Sequence, residues 1–236
     1  NQLAGVYGAV QDMTGRKQVE TDLYHRESIL DAVTVSAEQL FKAPDWRSEV
    51  DAMLERLGRS IHATHAYLFE NHQNEDGILR TSMRFEWTAP GFVSELGNPR
   101  YLDASLEEDD LESWYVNMSR GLPYIGDRKN LNDEDYDYIV ARSMKALLDV
   151  PIHIDGRWWG CIGFDDMVDA REWTNAEVDA LRVAANVLAA AIQRSQMDFA
   201  LQDELQKRKI LIEELENKDA ELERFTYTVS HDLRSP

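Results

Sequence analysis

The sequence predicts an α+β protein, an antiparallel sheet flanked by helices and carried between long N- and C-terminal coiled-coil helices. Three observations predict it. Apolar residues recur at alternating steps of four and three towards both ends of the chain but at steps of two in the middle. Asp155 and Gly156 separate two apolar runs, 146–154 and 157–165, as a two-residue hairpin turn would. Ser105 with Glu108, and Thr174 with Glu177, have the spacing of capping boxes that open helices.

Taken in order, Gly5, Val6, Tyr7, Gly8, Ala9 and Val10 read as a short strand, with Thr14 able to cap the helix after it. Val19, Leu23, Arg26, Leu30, Val33, Ala37 and Leu40 then form a seam, either of a parallel coiled coil between two protomers or of a helix packed on its own domain. Pro44 ends that helix, and Asp45 can cap a second one with the apolar face Trp46, Val50, Leu54, Leu57 and Ile61. A strand runs from His65 to Glu70. Beyond the turn Asn74 to Gly77, alternation predicts that Leu79, Thr81, Met83, Phe85 and Trp87 share one face of the next strand.

The capping box at Ser105 predicts a helix through Trp114 and Met118 to a stop at Gly121, followed by a short strand over 122–125. Asn132 precedes the acidic start of another helix. The hairpin leads to a helix opened by Thr174 whose face is Val178, Leu181, Ala185, Leu188 and Ile192. A further seam follows at Leu201, Leu205, Arg208, Ile212, Leu215, Asp219, Leu222, Thr226 and Val229. The preceding positions Val187, Ala190, Arg194, Met197 and Leu201 follow a different phase, which predicts a four-residue stutter near Leu201.

With 25 basic against 44 acidic residues, the net charge of -19 repels phosphate backbones and anionic lipid, so neither nucleic acid nor a membrane surface is expected as a partner. Cys161 is the lone cysteine, and no zinc or redox spacing surrounds it. No apolar run approaches the ~20 residues of a membrane-spanning helix. A cytoplasmic segment is expected, with any membrane anchor upstream. Both ends look cut, since the chain opens without Met and stops at Pro236 inside a motif.

Several stretches resemble known families. The run Gly5 to Val10 with Asp12, Thr14, Arg16, Lys17 and Glu20 resembles the last strand of a PAS domain and the junction that follows it. The run from Asp149 to Asp166, then Arg171, Trp173, Glu177, Leu181 and 189–194, is similar to the C-terminal half of GAF domains of signalling proteins. These resemblances imply a PAS tail over 1–16, a linker helix over 17–43, a GAF domain over 44–194 and a coiled-coil linker over 195–221.

A GAF domain implies a possible small-molecule ligand. Phe85, Trp87, Trp114, Tyr115, Tyr124, Trp158, Trp159 and Phe164, with Cys161, are the candidates to line its pocket, although aromatic residues build cores as readily. The Cys-His pair and Asp-Ile-Pro motif shared by bilin-binding GAF domains are missing, as is the pattern of cyclic-nucleotide GAF domains. Haem would need an axial ligand among His62, His65, His72, His153 and Cys161; it is disfavoured, and no metal site is evident.

The terminal stretch 222–236, with Ser230, His231, Asp232, Leu233, Arg234, Ser235 and Pro236, resembles the phosphoacceptor motif of histidine kinase dimerisation domains. The resemblance implies that His231 accepts phosphate from ATP and Mg held elsewhere in a longer kinase, with Asp232 as general base, and passes it to a response regulator receiver domain. Neutral imidazole is nucleophilic near pH 7, which suits that role. With Val229 at d, His231 falls at f, facing outward. A homodimer is expected, and the chain alone, with no nucleotide-binding motif, should be inactive.

Overall fold

The computed structural model describes the backbone of residues 2–106 and 112–232, and the side chains of 20–224 and Thr226 other than Thr21, Asp22, 107–111, Glu134 and Tyr138. The chain divides into two compact units, Asn1–Ile192 and Gln193–Pro236.

The first unit is built on a six-stranded antiparallel sheet. Its strands are β1 (His65–Gln73), β2 (Leu79–Thr88), β3 (Ala104–Ser105), β4 (Tyr124–Gly126), β5 (Ala146–Ile154) and β6 (Arg157–Asp166), in the spatial order β3-β2-β1-β6-β5-β4. The β5–β6 hairpin turns at Asp155 and Gly156, whose φ angles of 51° and 75° are those of the turn type that matches strand twist. This is the expected α+β architecture.

Helices α1 (Gln2–Lys42), α2 (Arg47–Ser60) and the start of α5 (Asn175–Asp232) cover one face of the sheet. There Leu40, Val50, Leu54, Leu57, Leu68, Leu148, Ile162, Phe164, Leu181 and Leu188 are completely or almost completely buried. The other face carries α3 (Glu112–Ser119), α4 (Asp133–Ala141) and a smaller cluster containing Tyr67, Met83, Met118, Tyr124, Ile139, Leu147 and Cys161. The candidate site lies on this second side.

Local signals explain most boundaries. The Asn132 side chain accepts from the Asp135 backbone N–H at 2.8 Å and opens α4. Thr174 and Glu177 form the reciprocal box that opens α5, with Glu177 N to Thr174 Oγ1 at 3.2 Å and Thr174 N to Glu177 Oε2 at 2.8 Å. Gly121, at φ 77°, stops α3. Asp45 accepts from the Arg47 backbone at 3.1 Å, just before α2.

One expectation fails, and another is decided between its alternatives. The strand over 5–10, and the helix start at Thr14, are both absorbed into α1. An isolated strand has nothing to pair with, whereas the helix that follows it can propagate backwards one hydrogen bond per residue. Ser105 pairs with Arg80 in the sheet, and its expected capping partner Glu108 lies outside the described residues, which resume in α3 at Glu112. The first seam is not wholly free for a partner either. Val33 and Leu40 are buried in the chain's own core along with Ile29 and Ala32, while Leu23 and Leu30 are exposed. Ser36 accepts a hydrogen bond from Arg56 of α2 at 2.9 Å, which fastens α1 to its own domain.

Candidate functional site

A cavity of about 160 Å³ opens on the α3 and α4 side of the sheet, against Tyr67, Phe69, Thr81, Met83, Tyr101, Trp114, Asp149, Cys161 and Asp165 among others. Strand alternation selects these residues. On β1, His65, Tyr67 and Phe69 face the cavity while Ala66 and Leu68 face the helices; on β6, Cys161 and Asp165 face it while Ile162 and Phe164 do not.

At its floor two buried carboxyl groups meet one phenol. Tyr67 Oη lies 3.1 Å from Asp149 Oδ1 and 2.9 Å from Asp165 Oδ1, and Trp114 Nε1 donates to Asp149 Oδ2 at 2.6 Å. Gly163 makes the approach possible, because a Cβ there would stand 2.1 Å from both Asp149 Oδ1 and the Tyr67 ring. Burial pushes the Asp149 carboxyl up to about 6, against the opposing hydrogen bonds from Trp114 and Tyr67. Asp165 is raised well above the ordinary carboxylate range by burial and by the charge of Asp149. Tyr67 Oη is within reach of both carboxyl groups but has one hydrogen to donate between them. Burial also raises the Tyr67 phenol and the Cys161 thiol, which leaves Cys161 a protonated, unreactive group.

Of the residues anticipated from sequence, Trp114 and Cys161 line the cavity. Tyr115 and Trp158 pack edge to face with ring centres 5.8 Å apart beside Trp114, and Tyr124 is buried in the cluster on that side without reaching the cavity. Phe85, Trp87, Trp159 and Phe164 belong instead to the helix-side core. A bulge explains the first two. Leu68 pairs with Phe85 but Phe69 pairs with Met83, so Arg84 is an extra residue that switches the strand from one face to the other. Adjacent Trp158 and Trp159 go to opposite clusters by strand alternation, and the irregularity between Ile152 and His153, which leaves Trp159 as the extra residue, sets which goes to which.

The sequence reading missed Tyr67, Thr81, Asp149 and Asp165. A carboxylate inside the apolar run 146–152 was the available signal for Asp149, since an acidic side chain at a sheet position among buried neighbours needs a specific partner. Of the haem candidates, His65 lines the cavity, but its ring nitrogens lie 3.1 Å from Thr64 Oγ1 and 3.3 Å from the Val93 carbonyl. Among the described residues no group of three or more His, Cys, Asp or Glu side chains could hold a metal ion.

A second constellation joins the first helix to the last. Glu177 is 1% exposed; its carboxylate meets Arg171 and lies 3.2 Å from His25 Nε2 on α1. Burial pushes the Glu177 carboxyl up, but Arg171, the bonds from Thr174 and His25 together hold it below the usual range. In the second unit, Leu201, Leu205, Ile212, Leu215 and Leu222 are all more than half exposed. His231 and Asp232 lie within the backbone of α5, their side chains and residues 233–236 being outside the described ones.

The layered antiparallel sheet with a cavity on one face has counterparts among known proteins. Residues 25–192 match the GAF domain family, and the chain belongs to it. It is 38% identical over 238 residues to the methanogenesis regulatory histidine kinase FilI of Methanothrix harundinacea, a match covering all of this chain and 26% of that protein. The circadian input-output histidine kinase CikA of Synechococcus elongatus is 28% identical over 123 residues, 48% of this chain and 16% of that protein. The chain thus spans about a quarter or less of these relatives. In fold it is similar to bacteriophytochrome RpBphP3 from R. palustris, with TM-score 0.58, 16% identity and 76% of this chain and 40% of that one covered. It is also similar to the phycoerythrobilin-bound GAF domain of a cyanobacterial phytochrome, with TM-score 0.56, 14% identity and 75% and 98% covered. Among the described residues no helix is long and apolar enough to cross a membrane.

Proposed function

We propose that this chain is the sensory and relay region of a two-component sensor histidine kinase, in which the GAF domain passes a signal to the helix bearing His231. The observation that carries the reading is the single helix α5, which starts at the Thr174–Glu177 cap of the GAF domain and runs without interruption to Asp232. A continuous helix transmits rotation or displacement along its length, so a change at its base is felt at its end. The kinship with histidine kinases supports the same reading. The Glu177 contact with His25 gives the signal a second path, from α1 into the base of α5.

His231 then takes the γ-phosphoryl group of ATP, bound with Mg in a part of the longer protein outside this chain, and Asp232 holds the imidazole proton while the other ring nitrogen attacks. A response regulator receiver domain is the acceptor, and the working unit is a homodimer joined along α5. In the longer kinase, His231→Gln should abolish incorporation of phosphate from labelled ATP, and Asp232→Asn should slow it at least tenfold while the dimer stays folded. Base-stable, acid-labile phosphate on the His231→Gln protein would refute the assignment.

A further inference from the structure

The cavity carries more information than its presence. Asp149 and Asp165 are 5% and 6% exposed, and neither has an ion-pair partner among the described residues. Two such groups facing one cavity select against an anion, because in a desolvated site Coulomb repulsion is several times stronger than in water. The basic residues at the cavity, Arg100 and Arg142, are exposed and half-buried respectively, where solvent screens them.

At the other end lies Thr81, 6% exposed, whose Oγ1 has no hydrogen-bond partner among the described residues. A buried hydroxyl left unpaired is costly, and here it lines an open space. The register separates the two ends: Tyr67 pairs with Glu86 and Thr81 with Asn71, four residues further along β1. At about 3.3 Å per residue, a molecule touching both ends is on the order of 10 Å long. Between them the walls are Phe69, Met83, Tyr101 and Trp114. An engineered apolar cavity of ~150 Å³ holds benzene, so the 160 Å³ found here suits one ring with a short chain.

We propose that the cavity binds an aryl-alkyl amine: a protonated nitrogen seated on Asp149 and Asp165, one aromatic ring between Phe69, Tyr101 and Trp114, and a polar group at the far end paired with Thr81. The nitrogen supplies the N–H donors that the Tyr67 hydroxyl, with one hydrogen for two carboxyl groups, cannot. The aromatic walls add favourable contact with both ring and cation. Thr81 reads the distal substituent.

This deepens the proposed sensory role and rests on it for its meaning, but its test measures binding to this chain alone, so it can fail while His231 phosphorylation stands, and the reverse. Tyramine, phenethylamine and 3-(4-hydroxyphenyl)propionate are titrated into the 236-residue chain, with melting temperature and calorimetry as readouts. Tyramine should bind saturably and raise the melting temperature, phenethylamine should bind about tenfold more weakly, and the carboxylate should do neither. Asp165→Asn should weaken both amines at least tenfold, whereas Thr81→Val should weaken tyramine alone. Equal binding of amine and carboxylate, no saturable amine binding up to about 10 mM, or an unchanged amine affinity in Asp165→Asn would each overturn the proposal. The three-probe comparison on the unsubstituted chain decides the question even if a variant does not fold.

Discussion

Asp149 shows how a single buried residue sets the protein's response to pH. Unfolded, its carboxyl titrates near the ordinary ~3.9; folded, it titrates at about 6, with Tyr67 from β1, Trp114 from α3, and Asp165 and Cys161 from β6 around it. A raised carboxyl pKa means that the folded state holds the proton more tightly. The destabilisation is therefore full above about 6, shrinks as pH falls through that value, and is gone below the unfolded value. Two pK units correspond to about 3 kcal/mol, and Asp165 acts in the same direction. Glu177, held below the usual range, works the other way, but only at lower pH. Urea unfolding should show stability rising from about pH 7 to about pH 5, and Asp149→Asn should remove about half or more of that rise. The net charge of -19 contributes a similar slope to both proteins, so it cancels in the difference. Identical slopes would contradict the assignment of the titration to Asp149. Beyond the signal of a carboxylate at Asp149 within an apolar run, this cluster was not legible from the chain, because pairing of β1, β5 and β6 brings Tyr67 to carboxyl groups more than 80 residues away. The stretch 222–236, by contrast, carries its resemblance in contiguous residues.

Elements were legible where their signals are local. The Asn132 cap, the Thr174–Glu177 box and the Asp155–Gly156 turn act within four residues, and each is found where its spacing predicts. Face assignment failed where a neighbouring strand decides it: the bulge opposite Leu68 and Phe69 moves Phe85 and Trp87 out of the cavity and into the helix-side core. The same distinction separates the two seams. Leu40 finds its burial within its own domain, whereas Leu215 and Leu222 are 65% and 62% exposed. In the proposed homodimer they lie against the same residues of the second copy. Changing both to Ala removes about 1.5–3 kcal/mol of burial per leucine on each chain, enough to raise the dimer dissociation constant at least a hundredfold. Light scattering at micromolar concentration should show a dimer for the unsubstituted chain and a shift towards monomer for the double variant; a monomer in both would dispose of the seam.

At the scale of the whole molecule, α5 carries apolar residues in both units, buried in the first and exposed in the second. Val178, Leu181, Ala185, Leu188 and Ile192 are buried against the sheet of the GAF domain. Beyond Ile192, Leu201, Leu205, Ile212, Leu215 and Leu222 are all exposed, and in the proposed homodimer they form the seam. Yet the apolar spacing along the sequence changes phase at Leu201, where the steps from Val187 through Met197 would next select Glu204 rather than Leu205. Two protomers in contact along all of α5 cannot pack both phases ideally at once, so relaxing one strains the other, which is the property a two-state relay needs. A ligand in the cavity would act by favouring one packing over the other, through its difference in affinity for the two. Deleting four residues around Leu201 joins the phases into one, and the longer kinase should then hold a single level of His231 phosphorylation whatever the signal. Regulation that survives the deletion undiminished would show that the phase change is only the join between a domain and its linker.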